Sequence, residues 1–140
     1  MDTSFEELLR SAGLRVTATR LAVLDAVSHH PHADSDTVLT AVRQALGTAS
    51  VQTIYDALNT FAAHGLMNRI EPAGHPARFE LRVGDNHHHM VCRACGDVQD
   101  IDCTIGQAPC LIPHTNHGYT VDEAEVTFWG RCPQCQTRTT

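Results

Sequence analysis

The sequence of 140 residues predicts an α+β fold in two parts, residues 1–83 and residues 84–140. Three observations support this prediction. Apolar residues recur at helical spacing from residue 4 to residue 65. Two short extended runs then flank a turn at residues 72–76 that is rich in proline and glycine, which is typical of a β-hairpin. Beyond residue 84 the chain favours alternating, β-branched and aromatic residues, as strands do.

Four helices are predicted in the first part, and most have a recognisable beginning and end. The first covers residues 4–12 and ends at a glycine. Thr17 caps the second, which stops near the histidine-rich residues 29–32. Asp34 or Ser35 caps the third, which Gly47 closes, and Ser50 caps the fourth, which ends near residue 65.

Three helices followed by a β-hairpin is the layout of a winged helix-turn-helix domain, which we predict for residues 1–83. The last helix of such a domain reads base edges in the major groove. The outward residues of the fourth helix suit that role, and they are Gln52, Thr53, Tyr55, Asp56 and Asn59. A solvated surface helix has a similar pattern, so the residues alone leave DNA binding open.

The second part, residues 84–140, is predicted to hold three strands. They are the runs HHHMVC, DVQDIDC and YTVDEAEVTFWGRC. The segment TIGQAPCLIPHTNHG lies between the second and third runs, and its prolines and glycines prevent a clear assignment. This part is therefore expected to be a small lobe whose own hydrophobic core is limited.

The charge and the hydropathy of the chain exclude several classes of protein. The net charge of −6 argues against indiscriminate nucleic-acid binding, and all ten basic residues are arginines. A DNA-binding role must therefore concentrate a few arginines locally. No apolar run approaches the roughly 20 residues of a membrane span, and the acidic N-terminus is unlike a secretion signal. We expect a cytoplasmic protein with no membrane partner.

Two C-x-x-C pairs predict a structural zinc site. Cys92 and Cys95 form one pair, and Cys132 and Cys135 form the other. Zinc takes four thiolate or imidazole ligands in a tetrahedron, and two intervening residues let one turn present two sulfurs to the same ion. A reducing cytoplasm favours metal ligation over disulfides. Redox activity, an iron–sulfur site or unrelated buried thiols are the alternatives.

The run His87-His88-His89 predicts a second metal site of a different kind. In a strand, His87 and His89 lie on one face and His88 on the other. Two imidazoles need carboxylates or a further histidine to complete an iron, manganese or nickel site. The candidates are Glu80, Asp100 and the histidines of the HHPH segment, namely His29, His30 and His32. An adventitious metal trap is the simpler alternative.

Several motifs occurring together, in this order, resemble the ferric uptake regulator superfamily. They are GLRVTATRLAVLDAV, HHPHADSDTV, SVQTIYDALNTFAAHGL, ARFEL, DNHHHMVCRACG and FWGRCPQC. The likeness covers about residues 10–136. Within the superfamily the chain is most similar to the actinobacterial catalase-peroxidase repressor group, whose members answer to iron and peroxide.

The resemblance implies a homodimeric repressor with an N-terminal winged-helix domain and a C-terminal α/β dimerisation domain. It implies structural Zn2+ on the four paired cysteines and regulatory Fe2+ or Mn2+ on His30, Glu80, His87, His89 and Asp100. It also implies that Tyr55 lies against bases and that Arg15 reaches the minor groove. The expected operator is palindromic double-stranded DNA, with Gln52 and Thr53 of the outward helix face as further candidate contacts and Arg15 and Arg20 contacting phosphates. We further expect Arg69 and Arg78 to contact phosphates.

Two of these positions point to different effectors. Asp100 stands where peroxide sensors of the superfamily tend to have aspartate, which implies that peroxide oxidises His30 and His89 in the iron form and releases the operator. Glu80 stands where iron sensors of the superfamily typically have glutamate. The resemblance also leaves Cys103 and Cys110 unexplained, and either a thiol redox element or simple burial would account for them.

Three other functions remain as alternatives. An iron- or nickel-uptake repressor would use the same fold and ligands. A small metalloenzyme would need an open coordination position and a substrate cleft, for which the helical part gives no reason, so we expect that the protein is not an enzyme. A metal-storage protein would leave the winged-helix part without a role.

Overall fold

The structure is a computed structural model that describes residues 2–72, 74–81, 87–102, 111–122 and 124–137, with the side chains of residues 2–4 and 87 left aside. The chain divides into two compact units. Unit 1 comprises Met1–Glu71 and Pro76–Val83, and unit 2 comprises Pro72–His75 and Gly84–Thr140. The α+β prediction is confirmed, since unit 1 carries the four longer helices and each unit has a small sheet.

Unit 1 contains four helices, α1 (Asp2–Ser11), α2 (Ala18–His29), α3 (Ser35–Leu46) and α4 (Val51–Ala63). The predicted caps are confirmed. Thr17, Asp34 and Ser50 each accept a hydrogen bond from the backbone N–H three residues on, which satisfies a donor that the first helical turn leaves open. Gly47 ends α3 with a φ of 86°, in the left-handed region that glycine adopts without strain.

A three-stranded antiparallel sheet completes the winged helix-turn-helix of unit 1. Its strands are β1 (Ala33–Asp34), β2 (Met67–Ile70) and β3 (Arg78–Leu81), in the order β1-β3-β2. The β2–β3 hairpin follows the prediction, whereas β1 was not predicted, because two residues are too few for a pattern. β1 pairs Ala33 with Phe79 and Asp34 with Arg78.

The core of unit 1 lies between α2, α3, α4 and the sheet. It is built from fully buried side chains that include Val23, Leu24, Val38, Val42, Ile54, Leu58, Phe61 and Phe79. Two apolar residues of these helices do not belong to this core. Leu46 is 41% exposed and Val51 is 53% exposed, because they lie at the ends of α3 and α4, on either side of the connecting turn.

Unit 2 contains a mixed sheet and one short helix. The strands are β4 (His87–Cys92), β5 (Val98–Asp102) and β6 (Thr127–Gly130), in the order β5-β4-β6, and α5 (Pro133–Thr137) follows. β4 pairs antiparallel with β5 and parallel with β6. The third strand is shorter than predicted. Cys103 and Cys110 lie outside the described residues, so their role stays a prediction.

Hydrophobic burial in unit 2 is sparse. Among its described residues, Val91 and Val98 are buried aliphatic side chains, beside the thiols of Cys92 and Cys135. None of the helices in the described ranges has the length and apolarity that a bilayer crossing requires.

Candidate metal centres and DNA-reading helix

The four paired cysteines converge on one point in unit 2. Cys92 ends β4, Cys95 follows in the next turn, Cys132 precedes α5 and Cys135 lies within it. Their sulfurs all lie within 4.8 Å of one another, and the Cys95 and Cys132 sulfurs are 3.8 Å apart. Sulfurs at about 2.3 Å from a tetrahedral zinc ion are separated by about 3.8 Å. The cluster therefore fits Zn2+.

Backbone donors prepare one sulfur of the cluster to be a thiolate. The N–H groups of Cys132 and Cys95 point to the Cys92 sulfur, at 3.3 and 3.5 Å. These donors, with that of Cys132 the stronger, lower the pKa of Cys92 to about 6. The neighbouring Cys132 side chain raises the pKa of Cys135 to about 12 in the metal-free cluster. A bound divalent cation offsets the repulsion between neighbouring thiolates, so that all four sulfurs can be deprotonated together.

Three contacts support the first cysteine turn. The Arg93 guanidinium lies over the Trp129 ring, 5.1 Å from its centroid, and the Arg93 N–H donates to the Gly130 carbonyl at 2.8 Å. His75 packs against Gly96, where a β-carbon would come within 2.8 Å of the imidazole. Gly96 is needed both for this approach and for its φ of 79°.

A buried histidine–carboxylate pair lies in unit 1. Nε2 of His32 is 3.1 Å from Oε1 of Glu80, and the two side chains are 12% and 6% exposed. Asn68 donates through Nδ2 to the other carboxylate oxygen, Oε2, at 3.1 Å. Two ligand atoms at about 2.1 Å from an ion and about 90° apart are separated by about 3.0 Å. This pair therefore has a spacing that suits two ligands of one ion.

The histidine beside Glu80 is His32, whereas the family resemblance pointed to His30. His30 is exposed and ends α2, where its N–H donates to the Ala26 carbonyl at 2.9 Å. His32 reaches Glu80 because its backbone turns through the left-handed region, with a φ of 63°. Reasoning from the residues had kept His32 among three candidates. Ligation by His30 stays a prediction.

A second histidine–carboxylate pair lies in unit 2. His89 on β4 and Asp100 on β5 are opposite each other in the antiparallel register, so their side chains share a face. Nε2 of His89 is 3.6 Å from Oδ1 of Asp100, with His89 buried and Asp100 half exposed. The part of His87 in a metal site stays a prediction, because its side chain is outside the described set. His88, on the other face, is buried and accepts the Val126 N–H at 3.1 Å.

Three of the residues predicted to contact DNA lie on α4. Gln52 and Thr53 are exposed, and Tyr55 is 41% exposed. Nε2 of Gln52 donates to Oδ1 of Asp56 at 2.9 Å, which fixes the orientation of the amide. Thr53 also belongs to the helix cap, since its N–H donates to Ser50. Their contacts with DNA stay predictions.

Arginines expected to contact DNA already have partners within the chain. Arg20 donates to the Arg15 carbonyl at 2.9 Å, which links the two residues predicted to reach DNA from outside α4. Arg69 donates to Glu71 and to Asn59, both at 2.8 Å. These bonds do not prevent phosphate contacts, but they give each guanidinium a role in the fold.

A winged helix-turn-helix and a four-cysteine site fit for zinc, carried by one chain, define a metal-dependent transcriptional regulator. The chain belongs to the ferric uptake regulator family, whose sequence profile matches residues 11–128. The family prediction is therefore confirmed, and with it the expectation of a transcriptional regulator.

Known proteins similar to this chain include mycobacterial regulators. The transcriptional regulator FurA of Mycobacterium tuberculosis is 54% identical over 131 residues, which cover 94% of this chain and 89% of that protein. Ferric uptake regulation protein 1 of Mycolicibacterium fortuitum is 56% identical over 125 residues, covering 89% of this chain and 78% of that protein. The structure of the ferric uptake regulator from Pseudomonas aeruginosa with manganese matches with a TM-score of 0.71 and 26% identity, covering 91% of this chain and 97% of that one.

Proposed function

We propose that this protein is a repressor that binds its operator when a regulatory Fe2+ or Mn2+ ion is bound and leaves it when that ion is lost. The main support is the presence of two histidine–carboxylate pairs, His32–Glu80 in unit 1 and His89–Asp100 in unit 2. Mixed nitrogen and oxygen ligands suit iron and manganese better than the all-sulfur cluster does. The similar Pseudomonas aeruginosa regulator was solved with manganese.

We propose that the regulatory ion is ligated by residues of the predicted set, His30, Glu80, His87, His89 and Asp100, with His32 as a further candidate. Its binding would couple metal occupancy to the conformation of the chain. Such coupling is a ligand bias on a two-state equilibrium. Zinc on the cysteines would have a separate role, since it stabilises unit 2 whether or not the regulatory ion is present.

The proposed repressor acts as a homodimer on a palindromic operator. A sheet face of unit 2 supports this, because Met90 and Phe128 are register partners on neighbouring strands and each is 46% exposed. Exposed apolar residues side by side are typical of an interface. In a two-fold dimer, two α4 helices would enter successive major grooves, with Gln52 and Tyr55 towards the bases.

The proposed effectors are peroxide and iron, and the proposed targets are catalase-peroxidase and other oxidative-stress genes. Asp100 favours peroxide, by the resemblance set out above. Release would then follow oxidation of ligand imidazoles by peroxide in the iron form. An iron-uptake repressor is the second candidate. Glu80 favours it, and so does the similarity to ferric uptake regulation protein 1 of Mycolicibacterium fortuitum.

One titration distinguishes these functions. An operator is first selected from random DNA duplexes with the Mn2+-loaded protein, and binding is then measured for the chelated, Mn2+ and Fe2+ forms, before and after peroxide. Mass spectrometry follows His30, His32 and His89. A gain of one oxygen atom on these imidazoles, with loss of binding in the iron form alone, supports peroxide sensing. Metal-dependent binding without oxidation supports the iron repressor, and equal binding in all forms refutes a metal switch.

A further inference from the structure

The backbone of His32 adopts a conformation that needs support. Its φ of 63° lies in the left-handed region, which is unfavourable for a residue with a β-carbon. The turn nevertheless continues directly into β1, where Ala33 is buried, and into Asp34, which caps α3. Because the direction of the imidazole depends on this turn, whatever stabilises the turn also aims Nε2 at Glu80.

Arg78 supplies that support from the neighbouring strand. Its Nη1 donates to the His32 carbonyl at 3.1 Å, and it lies opposite Asp34 in the β1–β3 register. The partly buried guanidinium therefore holds the turn at the His32 carbonyl.

We propose that Arg78 is a positioning residue for the regulatory metal: by holding the His32 carbonyl, it keeps the His32 imidazole beside Glu80. Arg78 touches neither the ion nor the DNA in this role. The proposal rests on the proposed function, because it takes His32 and Glu80 as metal ligands. It also replaces the expectation that Arg78 contacts phosphates.

The test compares Arg78→Gln with Arg43→Gln in the full-length, zinc-containing protein. Arg43 is a matched control, because its Nε donates to the Ala49 carbonyl at 3.0 Å on an exposed surface, a bond of the same kind. Mn2+ affinity is measured by competition with a chelating dye. Removing a group that orients a metal ligand typically weakens binding about 10-fold to 100-fold. We expect such a loss for Arg78→Gln and less than about a 2-fold change for Arg43→Gln.

Two further measurements separate positioning from the other roles that Arg78 could have. If Arg78 acts through His32, adding Arg78→Gln to His32→Asn causes no further loss of Mn2+ affinity, whereas independent effects multiply. Operator binding by Arg78→Gln at saturating Mn2+ should match the wild type, with the same salt dependence. A phosphate contact would instead reduce the salt slope by about 1 at any metal concentration.

The outcomes for this proposal differ from those for the proposed function. Wild-type Mn2+ affinity in Arg78→Gln, multiplying losses in the double variant, or a reduced salt slope would each overturn the positioning role while leaving the metal switch intact. If Arg78→Gln does not fold, Arg78→Lys keeps the charge without the guanidinium geometry and is measured in the same way. A wild-type protein that binds the operator equally with and without Mn2+ would refute the switch itself, and the positioning role with it.

Discussion

Removal of one zinc ligand should unfold unit 2 and leave the helices of unit 1 in place. The change is Cys135→Ser, which replaces a buried sulfur of the four-cysteine cluster by a hydroxyl that does not ionise. A structural zinc site contributes on the order of 10 kcal/mol or more to folding. If four ligands share that equally, one sulfur accounts for about 3 kcal/mol, and the loss is larger when the ion dissociates altogether.

Hydrophobic burial in unit 2 cannot offset the loss of the whole ion, which is on the order of 10 kcal/mol. Val91 and Val98 together contribute about 3–6 kcal/mol if each contributes about 1.5–3 kcal/mol. The core of unit 1 is independent of the zinc cluster, since its buried side chains come from α1 to α4 and the β1-β3-β2 sheet. The two units should therefore respond differently to the same substitution.

Each unit has its own spectroscopic signal. Trp129 is the only tryptophan of the chain and lies in β6, beside Arg93 in the cysteine turn. Its fluorescence therefore reports unit 2, while ellipticity at 222 nm is dominated by the four helices of unit 1. In Cys135→Ser we expect the emission of Trp129 to resemble that of the unfolded chain in the absence of denaturant. The helical transition should shift by less than about 1 kcal/mol.

The same measurements on Cys103→Ser provide a control, because the spacing of the cysteine pairs does not assign Cys103 to zinc. Chelation of the wild type should reproduce the result for Cys135→Ser. The reasoning is wrong if Trp129 keeps its native emission after zinc loss, or if the fluorescence and helical signals of Cys135→Ser disappear in one transition.

Three further predictions concern other parts of the chain. Ser50→Ala should destabilise unit 1 by about 0.5–2 kcal/mol in thermal unfolding, because the Thr53 N–H loses its cap; an unchanged melting temperature would argue against that bond. Tyr55→Ala should weaken operator binding without changing stability, because Tyr55 is 41% exposed. Gel shift measures the binding and calorimetry the stability. A large loss of stability would show that Tyr55 supports the fold instead. Zinc affinity should fall as pH is lowered, because zinc must displace the proton of Cys135, whose pKa is raised to about 12. Competition with a chromophoric chelator from about pH 8 to about pH 6 measures this affinity. An affinity that does not change with pH would contradict the prediction.

Sequence patterns predicted the features that depend on local spacing. The C-x-x-C pairs, the caps of α2, α3 and α4, and the β2–β3 hairpin each depend on residues a few positions apart, so the chain itself carries the signal. The opposed positions of His89 and Asp100 also follow from strand alternation and a short connection between β4 and β5.

Long-range contacts explain what the sequence did not reveal. The choice between His30 and His32 depends on a left-handed turn that Arg78 supports from 46 residues away, and spacing alone carries no information about such a bond. β1 escaped prediction for the same reason, because its two residues become a strand only by pairing with β3. The contact of Asn68 with Glu80 is a further case, since no motif marks an asparagine that orients a carboxylate.

The left-handed turn at His32 restricts which substitutions this position tolerates. Asparagine and glycine enter that backbone region most easily, so they would preserve the shape of the loop while removing the imidazole. Valine or isoleucine would remove the imidazole and also distort the loop, because their branched side chains oppose a positive φ. A mutational scan of residue 32 would therefore divide into variants that abolish metal response in an otherwise intact protein and variants that also lower its yield.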